Sequence, residues 1–344
     1  MQSFCHKCGR PSEDGLCPAC ALESTKILSF PDRIEVTVCS VCGAKLVRGR
    51  WQITEQTAKE LAETATYDAL SVCSSLSKPD IDLQLMRRGD TRYLAKVSMK
   101  GSFKDIPVEE NCEIPVKVIL TACERCSRMA GKYFESKVQI RGSSRPPSEA
   151  ELNECRDIAL SMADAAYRSG DQTAFVQDIK ETKGGLDLII GSTQLGRQIA
   201  RTIFERYGGR IQESAKLAGK KDGNDIYRTT ILVRFPNLKR GDIIFSRGTL
   251  FEVTGFDGRR THLTSLDGDR RTTLKEEDVE GIPVLGNRAD ARKAVVVAKD
   301  ERVLEILDPE SYKAAFASRP KSLIINEGEE VDVVRTAEGF IVLG

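Results

Sequence analysis

Histidine is nearly missing from this chain: only His6 and His262 occur among 344 residues. So few imidazoles suggest no Ser-His-Asp set, and no His-x-Glu signature of a zinc deaminase is present. Long apolar runs are missing too. None approaches the roughly 18 residues of a membrane span, so no membrane partner is expected. The opening Met1-Gln-Ser-Phe-Cys5 offers neither a basic n-region nor an apolar h-region, so a signal peptide is not expected. A secreted disulfide framework is then disfavoured as well. Gly191 and Gly196 have the spacing of a phosphate loop, but Arg197-Gln198 stands where Lys-Ser/Thr is required. That excludes a nucleotide site of this type.

What the sequence does hold is thiol in pairs. Four Cys-x-x-Cys motifs lie in the first 126 residues: Cys5/Cys8, Cys17/Cys20, Cys39/Cys42 and Cys123/Cys126. A tetrahedral zinc ion takes four thiolates at about 2.3 Å, and one tight knuckle supplies two of them. Four pairs therefore make two complete sites and two zinc ions. Gly9, Pro18 and Gly43 beside the pairs fit such turns. A redox dithiol would be a single pair in a βαβ setting. Eight residues separate Cys8 from Cys17, so the first two pairs can close as a small finger. The other two would then meet across an 80-residue insertion. Sequential pairing is expected, although a cross-braced arrangement uses the same ligands. With eight thiolates engaged, both sites are closed and leave no catalytic position, which favours a binding protein over an enzyme. Cys73, Cys112 and Cys155 stand alone and read as structural.

The net charge of +1 conceals a pattern along the chain. Residues 183–240 carry a +7 excess, whereas 151–182 and the segment after 240 are acidic. A local excess can hold a polyanion, because attraction to phosphate is short-ranged in salt. The candidate cations there are Arg197 and Arg201, one helical turn apart, with Arg210, Lys220 and Lys221 on a hairpin. Nearer the N-terminus, Arg48 and Arg50 flank Trp51, a candidate base-stacking platform unless it packs on the adjacent knuckle. Arg87 and Arg88 sit on a glycine-containing turn that could reach a phosphate or serve solubility alone.

Periodicity predicts a strand at 33–38, a helix over 54–76, then strands at 83–85, 93–99, 116–120 and 133–141. Gly142-Ser-Ser-Arg-Pro-Pro147 reads as a linker, and Ser148 with Glu151 as a capping box opening a helix to about 167. A second helix is expected over 172–182. A β-α-β-β unit follows, with a strand at 186–190, a helix at 193–207 and a hairpin of 210–216 with 226–235. Asp257-Gly258 and Asp267-Gly268 then divide strands at 243–246, 250–256, 262–266 and 272–274, the pattern of an SH3-like barrel. Strands at 294–298, 303–307, 323–325, 331–335 and 340–343, with a short helix at 312–318, fit an OB-like barrel. The expected class is α+β multidomain: a zinc domain with two four-cysteine sites (1–145), a middle α/β domain (146–238), an SH3-like barrel (239–287) and an OB-like barrel (288–344).

Phe4-Cys-His-Lys-Cys-Gly-Arg-Pro11, Gly15-Leu-Cys-Pro-Ala-Cys20, Val38-Cys-Ser-Val-Cys-Gly43 and Trp51 together resemble the N-terminal signature of one family. Cys123-Glu-Arg-Cys126 followed by Tyr133-Phe-Glu-Ser-Lys-Val-Gln-Ile-Arg141 fits it too. The chain resembles the large-ribosomal-subunit export adaptors, and because it stops at Gly344 it resembles an archaeal-type member without the eukaryotic transport tail. The resemblance implies a ribosomal-protein-like α/β domain followed by a module similar to the hypusine-bearing translation factor. The hypusine lysine is not carried over, since the loop Ser246-Arg-Gly-Thr249 has none. It further implies a cytoplasmic, non-catalytic, monomeric factor on the intersubunit face of the large subunit, contacting rRNA and ribosomal proteins, with an anti-association factor as a further partner and no DNA. Such a factor would act in late assembly or block premature subunit joining. The rival reading is a zinc-containing RNA-modifying or RNA-processing enzyme.

Overall fold

The computed structural model describes residues 4–12, 15–221, 223–268, 270–279 and 281–343, with the side chains at 221, 224 and 276 outside the description. Contacts divide the chain into two units, Met1–Ala130 and Gly131–Gly344.

The first unit is built on a six-stranded sheet. Its spine is a meander of Leu76–Arg87, Arg92–Phe103 and Ile106–Thr121, longer than periodicity suggests. Alternation of Ala95, Val97 and Met99 against Lys96, Ser98 and Lys100 gives this sheet one apolar face and one polar face. Ile34–Cys39 joins the meander in parallel register with Ile106–Thr121, Cys39 lying opposite Thr121. One helix covers the apolar face, burying Leu61 and Ala62. It spans Ala58–Ala69, not 54–76. The Thr57/Glu60 capping box fixes its start. Its end is set by Leu70, which turns extended so that Ser71–Val72 pairs with Leu28–Ser29. Val72 still reaches the same core, from a strand.

The second unit begins with a five-stranded sheet in the order Val176–Thr182, Gly185–Ile190, Ser136–Gly142, Asn224–Phe235, Arg210–Lys221. Ser136–Gly142 is thus the central strand of this sheet, and the compact units part at 130/131 instead of the expected 145. Glu149–Arg168, opened by the Ser148/Glu151 capping box, and Thr193–Tyr207 cover one face. The helix expected over 172–182 is a strand. Gly184, at φ 85°, closes a two-residue hairpin turn with Thr182 opposite Gly185, so the glycines reverse a strand and do not stop a helix. The phosphate-loop glycines are packing positions. A Cβ on Gly196 would lie 2.2 Å from Ser136 Oγ, and one on Gly191 2.6 Å from the Phe175 ring.

The C-terminal part holds two small β-structures. The first has strand order Arg271–Lys275, Arg260–Ser265, Thr249–Asp257, Asp242–Ser246, Val284–Asn287. Its last strand and the short helix Glu276–Val279 left no readable sequence signal. The second is a closed barrel of Arg292–Lys299, Val303–Leu307, Ala314–Ser318, Gly339–Val342 and Glu330–Thr336. Its third and fifth strands in chain order run parallel, which is the OB topology. The helix expected at 312–318 is one of these strands: barrel pairing overrides the helical propensity of Ala314, Ala315 and Ala317. The strand expected at 323–325 is irregular, and its carbonyls are taken by Arg319 at Leu323 and Lys299 at Ile325.

Candidate metal centres and basic surfaces

The eight paired cysteines gather as Cys5, Cys8, Cys17, Cys20 and as Cys39, Cys42, Cys123, Cys126. Within each set the sulfurs all lie within 4.8 Å of one another. A tetrahedron with 2.3 Å arms has an edge of about 3.8 Å. Cys8 and Cys17 are 3.5 Å apart and Cys42 and Cys123 3.8 Å, so each set fits one zinc ion. Pairing is sequential, as the spacing predicted.

Both centres use the same two parts. One is a knuckle: Gly9 N–H donates to the Cys5 carbonyl and Gly43 N–H to that of Cys39, with the glycines at φ 73° and 75°. The other is a helix start. Pro18–Ser24 begins after Cys17 with proline at its first position, and Glu124–Ala130 begins after Cys123. The sheet brings the distant halves of the second centre together. Cys39 ends one strand and Thr121 the neighbouring parallel one, so Cys42 and Cys123 leave the sheet side by side. Three of the four cysteines in each set are buried, while Cys8 and Cys42 are exposed residues.

Backbone amides prepare these sulfurs for negative charge. Cys39 Sγ accepts N–H bonds from Cys123 (3.3 Å), Val41 (3.4 Å) and Cys42 (3.5 Å). Burial alone would raise its thiol, but these donors outweigh burial and lower it to about 6. At Cys5 the Cys17 N–H leads a similar set and again brings the thiol to about 6. Elsewhere crowding acts in the opposite direction. The Cys8 thiol, then burial, pushes Cys20 up to about 12, and burial leads the rise at Cys126. Four sulfurs this close cannot all ionise without a cation among them; zinc supplies the charge that lets them.

The predicted basic residues are differently placed. Trp51 is half-buried and packs on the second centre with Ala44, the alternative weighed from the sequence. Arg48 lies in the exposed turn of the hairpin Lys45–Val47/Arg50–Gln52, and Arg50 is exposed on it. Arg87 is held at 2.8 Å by Asp90, whereas Arg88 is exposed beside it. Arg197 forks onto Glu213, Arg201 meets Glu205 at 2.8 Å, and Lys220 faces Asp225 at 3.6 Å. Arg210 is exposed at its strand start; the Lys221 side chain lies outside the described residues. Arg197, Arg201 and Lys220 are thus each paired with a carboxylate of the same segment.

A zinc-stapled sheet, a two-layer α/β domain and two small β-structures define a multidomain, metal-binding α+β chain. The family model described as "NMD3, N-terminal domain" matches residues 5–131, and "NMD3, second domain" matches 133–235. Together they span two thirds of the chain, which belongs to the NMD3 family, the export-adaptor family its motifs indicated. No curated relative matches the sequence. Among solved structures, eukaryotic translation initiation factor 5A from Methanococcus jannaschii is 16 % identical, covers 31 % of this chain and 86 % of its own, and has a TM-score of 0.21. At that score the likeness supports no argument.

Proposed function

We propose that this protein is a non-catalytic, zinc-stabilised factor that binds the intersubunit face of the large ribosomal subunit. It acts by occupancy in late assembly, keeping the small subunit away until the particle is ready. The observation that carries this reading is the NMD3 match across both 5–131 and 133–235. Two fully thiolate-ligated centres agree with it, since such sites are structural and leave no open coordination position. In this reading zinc fixes the knuckles and sheet, and exposed cations such as Arg48, Arg50 and Arg88 touch rRNA backbone while the C-terminal sheet and barrel fill tRNA space. The chain works as a monomer in the cytoplasm, with an anti-association factor as its neighbour on the subunit.

Co-sedimentation with purified small subunits, large subunits and joined ribosomes tests this. Stoichiometric pelleting with large subunits alone, lost once the small subunit joins, is the expected outcome. Equal pelleting with all three reduces the protein to a general RNA binder. No pelleting with any of them refutes the reading.

A further inference from the structure

In the five-stranded sheet of the second unit both helices lie on one side, and on the other side Asp187 and Ile189 are buried among longer side chains. Val138, Ile140, Leu186, Leu188, Ile231 and Val233 point to the two helices, so the residues between them point to the other face. On the central strand those residues are Lys137, Gln139 and Arg141, all half-buried. Asn224–Phe235 adds Arg228 and Arg234 separated by Thr230 and Leu232, and Arg210–Lys221 adds Arg210 and Lys216 separated by Gln212 and Ser214. The far edge adds Lys180. Against these cations the face carries, among the described residues, the carboxylates Asp178, which pairs with Lys180 at 3.4 Å, and Asp187. Asp187 is shared between Arg141 at 2.6 Å and Lys137 at 3.7 Å. The surplus is clear.

The helix side is the opposite case. Arg156 meets Glu181, Arg168 meets Asp164, Arg206 meets Glu154 and Arg201 meets Glu205, each within 3 Å. By strand register, Arg210, Lys216, Arg228 and Arg234 of the basic segment 183–240 therefore all lie on the sheet face away from the helices.

We infer that this open sheet face, not the helix face, is the nucleic-acid surface of the domain, and that its occupant is the backbone of duplex RNA. Five strands about 4.8 Å apart span about 19 Å, broad enough to take backbone from both strands of a duplex. Among the described residues of these strands, no aromatic side chain points to this face. Phe134, just before the central strand, lies under the Arg228 guanidinium at 4.1 Å, which occupies a face of its ring. Single-strand binders need such rings, whereas duplex RNA is held through phosphate and 2′-hydroxyl contacts largely without regard to sequence. Gln139, Gln212, Ser214 and Thr230, interleaved with the cations, are the donors and acceptors that hydroxyls require. The choice of RNA over DNA rests on the large-subunit reading; the choice of face does not.

The test compares two variants of the full chain with equal charge loss. One is Lys137→Gln with Lys216→Gln and Arg228→Gln on the sheet. The other is Arg156→Gln with Arg168→Gln and Arg206→Gln on the helices. Each is titrated with a 20-base-pair RNA duplex of arbitrary sequence over a range of salt, and thermal melting checks folding. The sheet variant is expected to lower the log–log salt slope by about 2–3 and to weaken binding upwards of about 10-fold at 0.1 M salt. The helix variant is expected to keep the parent slope. Equal losses from both variants, an unchanged sheet variant, tighter binding of single strands than duplex, or no duplex binding by the parent would each overturn the inference. Large-subunit pelleting by the parent is scored separately. If it persists while duplex binding fails, the assembly-factor reading stands without this face; if binding to subunits survives nuclease digestion of the exposed RNA, the face meets a protein.

Discussion

At the scale of single residues, Glu151 shows how one side chain can serve a cap, an ion pair and a linker. Its carboxylate receives the Ser148 N–H at 2.7 Å and both terminal nitrogens of Arg145 at 2.7 Å. Burial would raise this carboxyl, but Arg145 and then the Ser148 amide outweigh burial and hold it below the usual glutamate range. A group depressed in the folded state contributes stability that is complete above its ordinary value near 4.3 and is lost as pH falls through the folded value. Glu151→Gln should therefore destabilise the chain at pH 7 and converge on the parent as pH falls below about 4. Urea unfolding at pH 7, 5 and 3.5 checks this, and a constant difference at all three would contradict it. The same scale explains what sequence could not reveal about the basic candidates. Arg201 and Glu205 are one helical turn apart and could be paired from the predicted helix, but Arg197 with Glu213 and Lys220 with Asp225 become neighbours only through the packing of helix on hairpin and the hairpin register.

At the scale of elements, the two metal centres are alike in parts and unlike in consequence. The first joins residues 5–20 and is a local finger. The second clamps the ends of two adjacent parallel strands within the sheet that carries the core of its unit. Cys17→Ser should lose one zinc and leave the main melting transition near that of the parent. Cys39→Ser should lose one zinc and lower the midpoint of the sheet sharply, because structural zinc contributes folding energy directly. Metal analysis paired with calorimetry decides the matter, and a Cys39→Ser protein of parental stability would refute the distinction. The eight ligands were legible because Cys-x-x-Cys spacing has few physical solutions, whereas their pairing, which sequence leaves open between sequential and cross-braced, is fixed by the fold. Capping boxes and aspartate–glycine turns were legible for the same reason, being local chemistry. The failures at 172–182 and 312–318 came where alanine or mixed polar segments have weak preference and strand partners decide. Strand 136–142 was found in sequence, but its place at the centre of the second unit depends on pairing with residues some 50 and 90 positions later.

At the scale of the whole molecule, eleven cysteines divide into eight ligands and three others. Cys73 and Cys112 are half-buried, and Cys155 is fully buried in the second unit, where burial pushes its thiol up to about 12. Native protein should hold two zinc ions and offer a thiol reagent no more than Cys73 and Cys112. Chelation should expose eight more thiols, and Cys155 should react only after denaturation. Prompt reaction of all eight in untreated protein would count against filled centres. The spacing of the ligands also sets an order of events during synthesis. The first centre has all four thiols once residue 20 has left the ribosome, whereas the second must wait for residue 126. At 5–20 residues per second the interval is roughly 5–20 s, and until it ends Cys39 and Cys42 have no partners. A cell short of zinc would then accumulate chains whose finger is formed and whose sheet is still unfastened.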